Sequence, residues 1–177
     1  MTEPHRIIGI VGWKNSGKTR MVAALVRELT ARGRTVSTVK HAHHSFDIDR
    51  EGADSWQHRQ AGAREVAVVS ARRWALMHES APDAPEPPLS AILDRLSPCD
   101  IVIVEGYKRD RHDKIEVRRS VTADTDRLAE SDDTVVAIVS DEPDSVGEAL
   151  PVFGHDAIGE IADFVERHVG LAKPELS

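Results

Sequence analysis

The chain alternates between short apolar runs and longer amphipathic stretches. Residues 7 to 11 form a continuous apolar run, IIGIV, with the length and composition of a strand buried on both faces. Between residues 19 and 32 the apolar positions recur every three or four residues, which predicts a helix, and Gly33 suits its C-terminal cap. Residues 35 to 40 predict a second strand. The chain therefore begins with strand, loop, helix and strand.

The middle of the chain is less regular. Residues 54 to 61 predict a short helix that ends at Gly62. The two β-rich runs that follow, 65 to 70 and 73 to 78, predict an antiparallel pair. Residues 81 to 88 contain four prolines. Because proline cannot donate a hydrogen bond in a helix or a central strand, this stretch predicts a loop.

Regular patterns return in the second half. Residues 89 to 96 and 156 to 169 predict helices, and strands are predicted at 100 to 105, 114 to 118 and 134 to 139. Alternating strands and helices predict a doubly wound α/β fold, with a mainly parallel sheet and helices on both faces. The pair of β-rich runs adds a β-hairpin at about 64–79. We expect one domain over residues 1–170 and a short tail, 171–177.

Composition and charge narrow the class of protein. Of the 177 residues, 40% are hydrophobic and 30% are charged, which is a globular balance. The net charge of -7 argues against a large nucleic-acid interface, because such affinity comes from Lys and Arg. No apolar run approaches the ~20 residues that span a bilayer, and the lone Cys99 fits a reducing compartment. We therefore expect a cytoplasmic protein with neither nucleic-acid nor membrane partners.

One motif carries candidate chemistry. The segment GWKNSGKT matches the phosphate-binding pattern G-x-x-x-x-G-K-[ST] and lies between a predicted strand and a predicted helix. Lys18 can reach the β and γ phosphates of a nucleotide, and the Thr19 hydroxyl can bind Mg²⁺. The alternative is a glycine-rich turn that only joins strand to helix. A P-loop NTPase-like fold is favoured, with nucleotide-binding residues Gly12, Trp13, Lys14, Asn15, Ser16, Gly17, Lys18 and Thr19.

Acidic residues at strand ends are the next candidates. Glu105 ends the strand at 100 to 105, where P-loop proteins place an acid that holds Mg²⁺. We favour Glu105 over Asp100, because ligands collect at the carboxyl ends of parallel strands. Lys18 and Glu105 are thus the candidate catalytic residues. Asp141, after the strand at 134 to 139, is a candidate acceptor for guanine N1 and N2, or else an ordinary turn residue.

A histidine-rich segment, KHAHHSFDID, follows the second strand at residues 40 to 49. It leaves the carboxyl end of that strand, where a switch loop beside the phosphates is expected. Structural zinc is disfavoured because no paired cysteines accompany the histidines. The alternative without a functional role is a polar, solvated loop. The histidines are candidates for holding an anionic ligand and the carboxylates for reaching Mg²⁺ through water: His41, His43, His44, Asp47 and Asp49.

Together these residues resemble the MobB family of molybdopterin-guanine dinucleotide biosynthesis adaptors, a P-loop GTP-binding group. The P-loop is widespread, whereas the histidine-rich segment combined with RWALM and VEGYK is much more specific. The resemblance runs from residue 6 to 141, and the chain beyond about 170 has no clear counterpart. The matching segments are NSGKT (15–19), KHAHHSFDID (40–49), GADS (52–55), QAGA (60–63), RWALM (73–77), VEGYK (104–108) and SD (140–141).

The resemblance implies a weakly hydrolytic homodimer that binds GTP and Mg²⁺ and assists the enzyme that attaches GMP to molybdopterin. The implied partners are that molybdopterin guanylyltransferase and molybdopterin-bearing proteins. Apolar residues between 65 and 78, including Trp74, suit pairing through the hairpin. No arginine finger in cis is evident, so hydrolysis is expected to be slow. The alternative function is a small-molecule kinase, which would also use a P-loop and an acidic strand end.

Overall fold

The computed structural model describes residues 5–42, 46–81, 83–122, 126–146 and 149–171. Two compact units are found, one of Met1–His41 with Pro88–Ser177 and one of Ala42–Pro87. The strands are β1 (Ile7–Val11), β2 (Val36–Lys40), β3 (Glu65–Val69), β4 (Trp74–His78), β5 (Ile101–Glu105), β6 (Lys114–Val117), β7 (Val135–Ser140) and β8 (Val152–Gly154). The helices are α1 (Lys18–Ala31), α2 (Asp54–Gln60), α3 (Leu89–Leu93) and α4 (Ile158–His168).

The larger unit is built on a six-stranded sheet in the order β2-β5-β1-β6-β7-β8. Every neighbouring pair in this sheet runs parallel. In β5 every residue is buried, as expected for a strand that reads as an apolar run without alternation. The strand β1 lies third in the sheet, between β5 and β6, so the loop that follows β1 has a carboxyl-terminal strand end on each side.

Helices pack on both faces of this sheet. On one face, alternate residues of the strands meet the apolar stripes of α1 and α4, with Leu25 and Ile161 fully buried. On the other face, Leu89 and Leu93 of α3 pack against Val102 of β5. This arrangement confirms the predicted doubly wound α/β fold. No helix among the described residues is long and apolar enough to cross a membrane.

Strand β6 carries buried charges as well as apolar residues. Lys114 and Glu116 alternate with apolar residues of the core and are each only 1% exposed. Lys114 donates to Asp132 (3.1 Å), and Glu116 accepts from Arg118 (2.8 Å) and from the backbone N–H groups of residues 128 and 129. Because each buried charge is paired, the charges do not destabilise the sheet as isolated buried ions would.

The smaller unit contains the hairpin. Strands β3 and β4 are antiparallel, with Val66 opposite Met77 and Val69 opposite Trp74, and α2 packs against β3. Successive side chains alternate between the two faces of a strand. Val66 and Met77 are buried, whereas Val69 and Trp74 are 74% and 67% exposed. The predicted antiparallel pair is therefore confirmed, and it presents an apolar surface.

The differences from the predicted elements are small. Most predicted elements are one to three residues longer than the helices and strands of the structure. The helix predicted to reach residue 96, for example, ends at Leu93. Strand β8, Val152–Gly154, was not predicted because three residues are too few to show a periodicity. The expectation of one domain over residues 1–170 stays a prediction.

Candidate nucleotide-binding site

The loop between β1 and α1 has a backbone that requires glycine. Gly12 has φ +146°, and a Cβ there would lie 2.3 Å from the Val117 carbonyl oxygen and 2.7 Å from Ser16 Oγ. Gly17 has φ +98° and Asn15 has φ 66°, a region that Asn tolerates better than most residues. The loop therefore curls tightly against the end of β6, and its shape depends on the residue types of the motif.

The start of α1 is suited to an anion. The helix is 14 residues long and begins at Lys18, and its N-cap residue, Gly17, makes no side-chain cap hydrogen bond. The first N–H groups of a helix have no intrahelical partners and carry partial positive charge. Ser16 is fully buried, and its Oγ has no hydrogen-bond partner among the described residues. These groups fit a phosphate.

Three lysines contribute positive charge near the loop. Lys18 Nζ donates to the Trp13 carbonyl oxygen at 2.8 Å. Burial lowers the pKa of Lys18, and the positive charges of Lys108 and Lys40 also lower it, whereas Glu105 opposes this shift. Three ammonium groups near one carboxylate leave a net positive charge, which suits a polyphosphate ligand.

The side chain of Trp13 is anchored on both sides. Lys108 Nζ lies 3.8 Å from the centroid of the Trp13 ring, a cation–π contact. The indole N–H of Trp13 donates to the Asp126 carbonyl oxygen at 2.5 Å. Lys14 and Asn15 are exposed at the tip of the loop. Trp13 therefore holds the first half of the loop in place, which sequence reasoning did not anticipate.

Thr19 and Glu105 form the candidate metal site. Glu105 ends β5 and lies opposite Ile10 of β1, which places its side chain beside the loop. Thr19 Oγ1 donates to Glu105 Oε1 at 2.8 Å. Hydroxyl and carboxylate oxygens are the ligands that Mg²⁺ takes in proteins, so this pair fits the ion. Asp100 lies at the opposite end of β5, where hydrogen bonds from Thr35 lower its pKa.

Two residues beside the loop were missed by sequence reasoning. A Cβ on Gly17 would lie 3.3 Å from Arg119 Nε and 3.5 Å from His155 Cε1. His155 Nε2 lies 2.7 Å from the Arg118 carbonyl oxygen. Because a carbonyl only accepts, this nitrogen carries the proton, and Nδ1 of the neutral ring is an acceptor. The available signal was position alone, because Arg119 and His155 closely follow β6 and β8.

Asp141 follows β7 and is oriented by one neighbour. The Ser120 N–H donates to Asp141 Oδ1 at 2.8 Å, and Ser120 Oγ donates to Oδ2 at 3.1 Å. A carboxylate has about four acceptor positions, so it can accept further hydrogen bonds while Ser120 holds it. Its predicted role toward guanine stays a prediction.

His41 lies beside the strand end that carries Glu105. Its backbone N–H donates to the Glu105 carbonyl oxygen at 2.9 Å, and its ring centroid lies 4.6 Å from that of Tyr107. Tyr107 has φ 50°, which is uncommon for a bulky residue. The structure therefore brings together the start of the histidine-rich segment and the EGY segment. The predictions for His43 and His44 lie outside the described residues.

Asp47 and Asp49 belong to the smaller unit, where Arg59 binds both. Arg59 donates to Asp47 at 2.7 and 3.0 Å and to Asp49 at 3.4 Å, and Ser55 Oγ donates to Asp49 at 2.9 Å. The bonds from Arg59 lower the pKa of Asp47. Both carboxylates thus have a structural role in this unit, and their role toward Mg²⁺ stays a prediction. The described residues contain no group of three His, Cys, Asp or Glu that could hold a metal ion.

The fold and the loop define the class of protein. A parallel sheet, a glycine-bounded loop leading into a helix, and an acid at the end of the adjacent strand are the features of P-loop NTPase-like α/β proteins. The family model of MobB, described as molybdopterin guanine dinucleotide synthesis protein B, matches residues 7–141. This chain belongs to that family, which confirms the resemblance inferred from its motifs.

Known relatives match over most of their length. The chain is 36% identical to a molybdopterin-guanine dinucleotide biosynthesis adapter protein of Haemophilus influenzae, covering 90% of this chain and 87% of the relative. It is 35% identical to the protein of that name from Escherichia coli K12, covering 90% of each.

Solved structures agree with the fold. A MobB homolog of Bacillus stearothermophilus is 26% identical with a TM-score of 0.67, covering 94% of this chain and 99% of that one. A crystal structure of molybdopterin-guanine biosynthesis protein B is also 26% identical, with a TM-score of 0.70 over 93% of this chain and 99% of that one.

Proposed function

We propose that this chain is a GTP-binding adapter of molybdopterin guanine dinucleotide biosynthesis. Family membership and the names of the relatives support the pathway and the adapter role. The geometry at the start of α1 supports the nucleotide. There the glycine-bounded loop, the uncapped helix end and Lys18 lie beside the Thr19–Glu105 pair, whose oxygens are 2.8 Å apart.

In this proposal the loop binds the phosphates and the adjacent strand end holds the metal. Lys18 and the N–H groups of the loop bind the β and γ phosphates, while Thr19 and Glu105 hold Mg²⁺. When bound, Mg²⁺ supplies positive charge that neutralises the phosphate oxygens. Lys18 stabilises negative charge on the phosphates, and Glu105 keeps the metal in place.

The base is proposed to lie on the β6–β8 side of the loop. In this proposal the metal lies toward β5 with Thr19 and Glu105, and the nucleoside extends in the other direction along the sheet edge. Asp141 follows β7 on that side, and Ser120 orients its carboxylate. Guanine presents donors at N1 and N2, whereas adenine lacks this pair. A carboxylate at this position therefore favours GTP over ATP.

Replacement of Asp141 by Ala tests the choice of base. The dissociation constants of GTP and ATP are measured by calorimetry for the parent and for Asp141→Ala. Loss of a hydrogen-bond partner for a buried donor costs about 1–3 kcal/mol, so the preference for GTP should fall roughly 5- to 150-fold. Glu142→Ala removes the same charge from the next residue and should keep the preference. Equal affinity for both nucleotides in the parent would contradict the proposal.

Hydrolysis is proposed to be weak. Glu105 accepts from both Thr19 and Lys40, which suits it to hold a cation more than to act as a base. Arg119 lies beside Gly17 at the end of β6, whereas the γ-phosphate is proposed to lie toward β5. Its position therefore does not match that of an arginine finger, which adds about 10³–10⁵ in rate when it contacts the transferring phosphate.

A product assay separates the adapter from the kinase alternative. GDP release is followed with and without small-molecule acceptors, and the adapter is expected to release GDP slowly in both cases. Release that depends on an acceptor, or intrinsic turnover above about 1 per second, would favour an enzyme in its own right.

The adapter role requires surfaces for other proteins. Trp74, Val69 and Leu76 of the hairpin are exposed, and apolar strand surfaces of this kind are normally covered by another chain. We propose that the hairpin pairs two copies of the chain into a homodimer. Molybdopterin guanylyltransferase is the proposed enzyme partner, with molybdopterin-bearing proteins as further partners.

A further inference from the structure

Lys40 contacts the two oxygens that are proposed to hold the metal, Glu105 Oε1 and Thr19 Oγ1. It ends β2 and is opposite Glu105 in the register of β2 and β5. Its Nζ is 3.1 Å from Glu105 Oε1 and 3.5 Å from Thr19 Oγ1. Those two oxygens are themselves 2.8 Å apart. One ammonium group therefore contacts both members of the pair.

The two side chains of this ion pair, Lys40 and Glu105, differ in their exposure to solvent. The Glu105 side chain is 10% exposed and is held by Thr19, so it needs a positive partner where it stands. The Lys40 side chain is 59% exposed, so its ammonium group can turn into water at little cost. Lys18 differs from Lys40, because it donates to the Trp13 carbonyl oxygen within the loop.

An ammonium group and Mg²⁺ cannot occupy this position together. Mg²⁺ binds oxygen at about 2.0–2.1 Å and requires the lone pairs that face it. An ammonium group at hydrogen-bond distance from the same oxygens uses those lone pairs, and two cations at such short range repel each other. Binding of one cation therefore requires displacement of the other.

We propose that Lys40 is a built-in counter-cation that Mg²⁺ must displace from Glu105 and Thr19. This inference rests on the proposed nucleotide function and deepens it. Lys40 sets the Mg²⁺ concentration at which the nucleotide complex becomes tight. It also keeps Glu105 from repelling the phosphates of a nucleotide that binds without metal. Lys40 thus acts through Glu105 and Thr19 and does not need to contact the nucleotide.

The experiment is a titration of Mg²⁺ at fixed GTP, read as the melting temperature of the intact chain. Lys40→Gln keeps a long polar side chain and removes the charge. The Mg²⁺ concentration at half the full shift should fall about two- to fivefold in this variant, as expected for an ion pair with one exposed partner. The shift that GTP gives without Mg²⁺ should become smaller.

Lys108→Gln is the matched control. Lys108 is another lysine whose charge acts on Lys18, but its ammonium group lies over the Trp13 ring. Its replacement should weaken GTP binding at every Mg²⁺ concentration and leave the half-point unchanged. Lys40→Arg retains the charge and should keep a half-point at or above that of the parent. Lys40→Met also removes the charge and should lower the half-point in the same way, so it provides the test if Lys40→Gln fails to fold.

The outcomes separate this inference from the proposed function. If GTP gives no shift in the parent at any Mg²⁺ concentration, the proposed nucleotide function fails. If GTP binds but Lys40→Gln has the half-point of the parent, the role of Lys40 is wrong. The role is also wrong if Lys108→Gln lowers the half-point as much, or if Lys40→Arg lowers it.

Discussion

Lys18→Ala tests the phosphate loop most directly. In the parent, Mg-GTP at a hundredfold excess over its Kd should add about 2.7 kcal/mol to the free energy of unfolding. For a chain of 177 residues the entropy of unfolding is about 0.37 kcal/mol/K. The nucleotide should therefore raise the melting temperature by about 7 °C.

The variant should lose most of this shift. Hydrogen bonds to charged groups contribute about 1.5–3 kcal/mol each, so loss of the Lys18 ammonium group should weaken GTP about a hundredfold. The same GTP concentration then only equals the new Kd and adds about 0.4 kcal/mol, or about 1 °C. Melting curves with and without Mg-GTP measure both shifts.

The control replaces another cation in the first turn of the same helix. Arg20 is one of the exposed residues of α1 and pairs with Asp156 at 3.5 Å. Arg20→Ala removes a positive charge at a similar place in the sequence and should keep nearly the whole shift. If Lys18→Ala keeps the shift of the parent, the loop is not the nucleotide site. If both variants lose the shift equally, the shift depends on the total positive charge near the start of α1 and not on Lys18 itself.

The other two predictions concern pairing through the hairpin and the loss of folding stability at low pH. Trp74→Glu should convert a sedimenting dimer to monomer without changing GTP affinity, and a parent that sediments at the mass of one chain at micromolar concentration would exclude the dimer. Burial raises the pKa of Glu166, but hydrogen bonds from Arg34 and Arg32 outweigh this and lower it below 4.5. A lowered pKa stabilises the fold above about pH 4.5, and this stabilisation is lost as the pH falls through the pKa of the folded state. Glu166→Gln should therefore melt below the parent at pH 7 and approach it near pH 3, and an equal gap at both pH values would contradict this role.

Local patterns account for the elements that sequence reasoning recovered. The run IVIV in β5 and the apolar stripe of α1 each determine a strand or a helix without reference to distant residues. The order strand, loop, helix and strand also determined that the P-loop segment would lie at the carboxyl end of β1. Where the pattern is too short, as in β8, local reasoning predicts less.

The sequence by itself thus determined the class of fold, the family and the position of the P-loop motif between β1 and α1, because its motif and its periodicities are local. The tertiary structure alone decided which side chains surround that loop. Lys40 reaches Glu105 because β2 pairs with β5 in register, although 64 residues lie between them. Arg119 and His155 meet Gly17 because the strands β6 and β8 lie on the other side of β1. Strand order and register arise from packing across the whole sheet, and no local periodicity encodes them.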